Sequence, residues 1–137
     1  MNLHWQTPKA LYDELDAEFA FDFDPCPANP LFDGLMVDWG DRNFVNPPYG
    51  RVLGTWIRKA WEQHRLGKLS VLLVPSRTDT AWWHDYVMQA DEIRFLRGRL
   101  QFVPNRQGKA KNGGGGRGGL GSAPFPSAVV VFRGVRA

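Results

Sequence analysis

"FVNPPYG", residues Phe44 to Gly50, runs from two apolar residues into an asparagine, two prolines, an aromatic ring and a glycine. Proline locks φ, lacks a backbone donor and pushes the residue before it out of the helical region. Neither a helix nor a strand interior can use this stretch, so Asn46 is expected at the end of a strand, held extended. The side-chain carbonyl of Asn46 and the peptide carbonyl of Pro47 then form two rigid neighbouring acceptors, with no competing donor on the proline. Such a pair matches an amino group with two hydrogens. Donating both encourages the nitrogen lone pair toward sp³ character and makes it a better nucleophile. With Tyr49 offering a ring face for stacking, the motif suits alkyl transfer onto the amino nitrogen of a planar substrate.

Working outward, Thr7 and Pro8 read as a helix opening, with a capping hydroxyl and a proline at the first helical position. Leu11, Leu15 and Phe19 then give an apolar stripe at four-residue spacing. "FAFDFD" alternates and reads as a strand ending at Asp24, and "NFV" as one ending at Asn46. A helix is expected from Val52 to about Arg65, stopped by Gly67. "SVLLVP" is a continuous apolar strand of the kind buried on both faces. A helix from Thr80 to Ala90 and the strands "EIRFLR", "RLQFV" and "SAVVVF" complete the series. The alternation indicates an α/β fold with helices on both faces of the sheet. In such sheets ligands bind at the carboxyl ends of the strands. Asp24-Pro25-Cys26, Asn46-Pro47-Pro48-Tyr49 and Pro75-Ser76-Arg77 are therefore expected to line one crevice.

The chain has 137 residues, 43% hydrophobic and 13% aromatic, which fits one folded domain over residues 1–137. Its single cysteine, Cys26, excludes an internal disulfide and a cysteine-based zinc cluster. His4, His64 and His84 are too scattered for a recognisable metal site, so no metal is expected. No apolar run approaches the roughly 20 residues of a membrane span, and no signal peptide is read, which points to a soluble cytoplasmic protein. Net charge is +3, unevenly placed. Acids crowd the first third, and bases follow from Arg51 onward, an asymmetry that suits a polyanionic partner as well as it suits ordinary solvated surface. Residues 105–122 are rich in glycine and carry Arg106, Lys109, Lys111 and Arg117, the composition of a flexible loop.

"NPPYG" resembles the catalytic motif of S-adenosylmethionine-dependent amino-methyltransferases. More closely, "WQTPKALYDELDAEFAFDFDPCPAN", "DWGDRNFVNPPYGR", "WIRKAWE", "VLLVPSRTDTAWWHDYV", "EIRFLRGRLQF" and "APFPSAVVVFR" resemble, in order, the phage-type DNA adenine-N6 methyltransferases, the phage Dam-like family. The resemblance implies a compact Rossmann-like fold, with a mostly parallel sheet and an antiparallel C-terminal strand. It implies methyl transfer from S-adenosylmethionine to adenine N6 in DNA, in the cytoplasm of a bacterial host. Asn46, Pro47, Pro48 and Tyr49 would form the catalytic loop around a flipped adenine, Asn46 and the Pro47 carbonyl binding its amino group and Tyr49 stacking on its ring. Trp5, Thr7 and Pro8 would lie beside the methionine part of the cofactor, with Asp24, Pro25 and Cys26 in the place of the first cofactor motif and Asp33 on the ribose or adenine. The chain departs from the wider pattern in lacking a glycine-rich turn, since Pro25, Pro27 and Asn29 stand there.

DNA contacts are expected along residues 105–122, with Arg51, Arg77, Arg97 and Arg99 as further phosphate ligands; Arg97 and Arg99 read equally as solvated charges. Two other functions use some of these features. Protein glutamine-N5 methylation shares the Asn-Pro-Pro-Tyr logic, and a non-enzymatic DNA-binding module would explain the charge but not Asn46 with its prolines. Oligomeric state is not legible.

Overall fold

A computed structural model describes residues 5–27, 30–101, 103–104 and 124–135. In chain order its elements are β1 (Trp5–Gln6), α1 (Lys9–Phe19), β2 (Arg42–Val45), α2 (Leu53–His64), β3 (Leu69–Pro75), α3 (Ala81–Asp85), a 3-10 turn at Val87–Gln89, β4 (Glu92–Phe95), β5 (Val103–Pro104) and β6 (Ser127–Phe132). The flexible loop expected over 105–122 lies outside the described residues.

"LSVLLVP" and "SAVVVF" have no polar-facing repeat, and every residue of β3 and β6 is buried. A strand buried on both faces also needs neighbours on both edges to satisfy its backbone. The sheet answers this with the order β2-β3-β6-β4. β2 runs parallel to β3, from Arg42 opposite Leu69 to Val45 opposite Leu72. β6 is antiparallel to β3 and to β4. The last strand is thus antiparallel, as expected, but it is inserted between β3 and β4. Two of the three neighbouring pairs are antiparallel in consequence, and the expectation of a mostly parallel sheet is corrected, although β2, β3 and β4 all point the same way. The physical reason lies in β4: Glu92 and Arg94 alternate with Ile93 and Phe95 and its residues are only partly buried, so it tolerates the edge that β6 cannot.

Helices cover both faces. On one, Leu15 and Phe19 of α1 pack with Phe44, Leu69, Val71, Leu73, Val129 and Val131. On the other, Leu53, Trp56, Ile57 and Ala60 of α2, with Trp83 and Val87, pack with Val45, Leu72, Val74, Val130 and Phe132. The period-two alternation of the strands sorts each side chain to its layer. Arg94 fastens α1 to the far edge, with Nη1 and Nη2 2.7 and 2.6 Å from the Glu18 carboxylate, while Glu92 joins Arg94 to Arg133.

Four local expectations are revised. "FAFDFD" forms only an isolated parallel bridge, Phe23 to Asn43, because Asp16 Oδ1 still holds the Phe21 amide in the turn after α1 and Pro25 ends the pairing. The helix from Thr80 stops at Asp85 and gives way to the 3-10 turn; Thr80 does cap it, accepting from the Trp83 amide at 3.3 Å. Among the described residues of "RLQFV", Val103 alone is in a strand; with Pro104 it pairs with β1 in a separate two-stranded ribbon. Finally, the residue capping α1 is Pro8, and no side chain caps it.

Residues 30–41 connect the Asp24 segment to β2 and are held against α2. Trp39 Nε1 donates to Gly34 O at 2.8 Å, its amide donates to Gln63 Oε1, and Lys59 and Lys68 donate to carbonyls of Leu35 and Trp39. Gly34 is buried against the Pro25 carbonyl and the Trp56 ring, with no room for a Cβ between them. Gly34→Ala is therefore expected to destabilise the fold by about 1–3 kcal/mol, the usual cost of overpacking. Urea denaturation should show a lower midpoint with an unchanged slope. A wild-type midpoint would mean that this close approach does not hold the Asp24 segment in place.

Candidate functional site

Because β2, β3 and β4 share a direction, and the Phe23 bridge is parallel to β2, the residues after these strands collect along one edge of the sheet. Asp24, Asn46, Ser76 and Arg97 stand there in sequence after their strands. The edge is divided by the pleat of β2. Phe44 faces α1 and Val45 faces α2, so the alternation returns Asn46 to the α1 side.

On that side lies an open cleft of about 430 Å³ lined by Gln6, Thr7, Lys9, Tyr12, Asp13, Asp24, Cys26, Phe44 and Asn46. The expected sites Thr7, Asp24, Cys26 and Asn46 are brought together here. Asn46 is 4% exposed, and its Nδ2 donates to Thr7 Oγ1 at 3.1 Å. Asp24 Oδ1 accepts from the Cys26 amide at 2.9 Å, a short turn that fixes the carboxylate at the strand end. Asp24 presents an exposed surface to the cleft, but protein encloses its other sides. The lost hydration raises its carboxyl from 3.8 to about 6, an effect partly offset by the Cys26 N–H and limited by the water that reaches the open side. Burial, with help from the Asp24 charge, pushes the Cys26 thiol up to about 12, so this cysteine is an inert neutral group.

The first turn of α1 adds a wall that sequence reading missed. Lys9, Tyr12 and Asp13 are spaced three and four residues apart, on one helix face beside the stripe of Leu11, Leu15 and Phe19. Lys9 pairs with Asp13 at 2.7 Å, and Tyr12 meets Phe44 edge-on at 5.1 Å. Burial raises the Tyr12 phenol, and the carboxylates of Asp16, Asp24 and Asp13 raise it further. This polar and aromatic edge of the helix was the available signal. Gln6 and Phe44 carried none, since each depends on the cross-sheet arrangement.

Other expected cofactor residues are not in the cleft wall. Asp33 is a turn residue, its Oδ1 accepting from the Leu35 amide at 2.9 Å, and the next residue, Gly34, lies against the Pro25 carbonyl. Pro25 is buried behind the cleft, and Pro8 starts α1 without lining it. The expectation for the Trp5 side chain, like those for Arg106, Lys109, Lys111 and Arg117, lies outside the described residues.

Pro47 is buried and Pro48 half-buried, and they carry the chain over the sheet edge to Tyr49. The Tyr49 ring packs edge-on against Phe125 at 5.3 Å and 80°. The Arg77 guanidinium sits over the Phe125 ring at 5.4 Å. Burial raises the Tyr49 phenol, against the pull of Arg77. Ser76 and Arg77 thus reach the same edge but not the cleft; they belong with Tyr49 on its far side. Phe125, missed from sequence, comes there because Pro126 O accepts from the Ser76 amide at 2.9 Å. Arg51, Arg77, Arg97 and Arg99 are exposed. Among the described residues no group of three His, Cys, Asp or Glu side chains is placed to hold a metal ion, and no helix is long and apolar enough to cross a membrane.

Among curated proteins and among solved structures nothing matches the chain. The profile of the family described as DNA N-6-adenine-methyltransferase (Dam) matches residues 2–120, a span that includes the cleft, the proline-rich loop and helices α1, α2 and α3. With that match over most of its length, the chain belongs to the Dam family of DNA N-6-adenine-methyltransferases.

Proposed function

We propose that the protein transfers a methyl group from S-adenosylmethionine to the N6 amino group of adenine in DNA, with the target base flipped out of the helix. The observation that carries this reading is the place of Asn46, almost fully buried at the end of β2 and on the wall of the cleft that holds Asp24. The cleft fits the cofactor in size and chemistry. About 430 Å³ falls within the roughly 300–1,000 Å³ of small-molecule sites. The Asp24 carboxylate, with the rings of Tyr12 and Phe44, suits a ligand that is cationic and partly apolar, while Asp13 is paired with Lys9. When bound, S-adenosylmethionine supplies a methyl group on a positively charged sulfur, an electrophile strong enough to need no metal.

The rest falls to the chain. Asp24 attracts the cationic end of the ligand, and Cys26 gives a neutral wall. Asn46 and the Pro47 carbonyl accept hydrogen bonds from the adenine amino group, hold it in line and take up the positive charge that grows on its nitrogen. Tyr49 stacks on the base, which helps offset the few kcal/mol of extrusion from the duplex. Arg51, Arg77, Arg97 and Arg99, with Arg106, Lys109, Lys111 and Arg117, hold the phosphates. Residues 1–137 act as one Rossmann-like methyltransferase domain, with the crevice at the carboxyl ends of its strands, in the cytoplasm of a bacterial host.

Incubation with duplex DNA and labelled cofactor, followed by nucleoside chromatography, tests the reading: N6-methyladenine is expected. Label on protein glutamine, or on neither polymer, overturns it. Asn46→Ala should abolish transfer while leaving cofactor affinity nearly unchanged. Tyr49→Ala should weaken productive base binding by about 1–3 kcal/mol, whereas Tyr49→Phe should be mild. Equal losses in the two variants would assign the effect to the hydroxyl instead of the ring.

Asp24 gives two pH dependences of opposite sign. Its carboxyl is raised on folding, so its contribution to stability is fully present below pH 3.8 and is lost as pH rises through about 6. Asp24→Asn should therefore raise the melting temperature above pH 6 and leave it unchanged at strongly acid pH. Cofactor binding needs the ionised form, so wild-type affinity should fall as pH drops through about 6. Calorimetry of Asp24→Asn should show weaker binding with no such inflection. A wild-type pH profile in this variant would move the cation site elsewhere.

A further inference from the structure

The wall of the cleft beside Asn46 is aromatic. Asn46 follows β2 directly, and the alternation puts its side chain on the same face as that of Phe44, roughly 7 Å along the chain. Tyr12 of α1 meets the Phe44 ring edge-on, with centroids 5.1 Å apart and planes at 87°. Phe44 is only 3% exposed, whereas Tyr12 is half-buried, so of this pair it is Tyr12 that has ring surface to offer the cleft.

That ring is placed before any ligand arrives. Leu15 and Phe19, both buried, anchor α1 to the sheet, and the Tyr12 amide donates to the Pro8 carbonyl at 3.1 Å in the first turn. Phe21 touches both rings, 5.7 Å from Tyr12 and 5.3 Å from Phe44. A ring held between two others has little rotamer freedom left to lose on binding. Its electrostatic setting is acidic. Burial raises the phenol first, and the carboxylates of Asp16, Asp24 and Asp13 raise it further, so the ring stays neutral and is surrounded by groups that favour positive charge. Lys9, the base of this wall, is paired with Asp13 at 2.7 Å.

The methyl donor carries an ammonium and a sulfonium, and transfer removes only the second charge. An ammonium donates hydrogen bonds and suits the Asp24 carboxylate. A sulfonium has no hydrogen to donate, and an aromatic face attracts a cation without needing one. The sulfonium must also come within reach of the amino group held at Asn46, which is where the Tyr12–Phe44 pair stands.

We propose that Tyr12 is a specificity-determining residue of the cofactor site: its ring lies against the sulfonium and tilts the cleft toward S-adenosylmethionine and against S-adenosylhomocysteine, the neutral thioether left after transfer. This rests on the methyl-transfer reading above. The contact weakens as the methyl group leaves, which favours release of the spent cofactor.

The quantity to measure is the ratio of the two affinities, obtained by calorimetry of each ligand with the full chain in the absence of DNA. Tyr12→Leu keeps an apolar wall, removes the ring and leaves Asp13, Asp16 and Asp24 in place, with Tyr12→Met as a second ring deletion in case leucine disturbs the fold. Either deletion should weaken S-adenosylmethionine by about 2- to 30-fold, the range of a cation over an aromatic face, and leave S-adenosylhomocysteine at the wild-type affinity. Tyr12→Phe should keep the wild-type ratio. An equal loss for both ligands overturns the proposal and makes Tyr12 a contact of shape alone. Wild-type affinities in both deletions overturn it too, by assigning any preference to the carboxylates. So does a Tyr12→Phe that behaves like the deletions, which would place the effect in the hydroxyl. If the wild type binds neither ligand, the methyl-transfer reading falls and this proposal with it, whereas an unmoved ratio in a chain that binds both strikes only the role of Tyr12.

Discussion

Strands β3 and β6 are buried along their whole lengths, and the remainder of the molecule follows from hiding them. A strand apolar on both faces needs a cover above and below and a partner at each edge. β3 takes β2 and β6 as its partners, and β6 takes β3 and β4. The covers are α1 on one face and α2 with α3 on the other. Once α1 must lie over Val71, Leu73 and Val129, the segment before it has to approach the end of β2, which is where Thr7 meets Asn46. The site is thus set by the demand of the core for a lid. None of its own polar contacts is strong enough to assemble it, since a neutral hydrogen bond contributes only about 0.5–1.5 kcal/mol net.

The same arrangement works against stability at Asp24. A carboxylate at a strand end would ordinarily stay well hydrated, but packing of residues 30–41 against α2 brings Gly34 beneath Pro25 and closes protein around it. The charge is less stable there than in the unfolded chain. Active sites commonly accept such a penalty where a bound cation will later relieve it. The inert thiol of Cys26 beside it fits the same account, because a second ionisable group in that pocket would only deepen the repulsion.

Legibility in the sequence followed locality. Where a residue's environment is dictated by its near neighbours, reading succeeded: the all-apolar run of β3, the α2 helix that ends before Gly67, and Asn46 at the end of its strand before two prolines. Where the environment is tertiary, it failed. Nothing local says that "SAVVVF" will slip between β3 and β4, because that depends on how poorly β4, with Glu92 and Arg94, would serve as an inner strand. Nothing local diverts the Thr7 hydroxyl from the helix it precedes, or sends Asp33 to its turn. Lys9, Tyr12 and Asp13 fell between the two cases: their helical spacing was visible, but which face looks on the cleft was settled only by the packing of Leu15 and Phe19.

The segregation of charge along the chain takes on meaning at this edge. Acids of the first third, Asp13 and Asp24, stand on the α1 side of Asn46. Bases of the later part follow the loop and the other strands: Arg51 after Tyr49, Arg77 over Phe125, and Arg97 beyond β4. In the proposed reaction a cation and a polyanion must meet at one nitrogen, and fields of opposite sign have to coexist within a few side chains of each other. Over such distances salt screens little, the Debye length being about 8 Å at physiological ionic strength. A neutral, uncharged acceptor such as an amide is then the natural occupant of the boundary. A cationic side chain there would reject the donor hydrogens of the substrate amino group. The rigid prolines that follow keep that neutral group between the two fields, with the acidic cleft on one side and the aromatic and basic edge on the other.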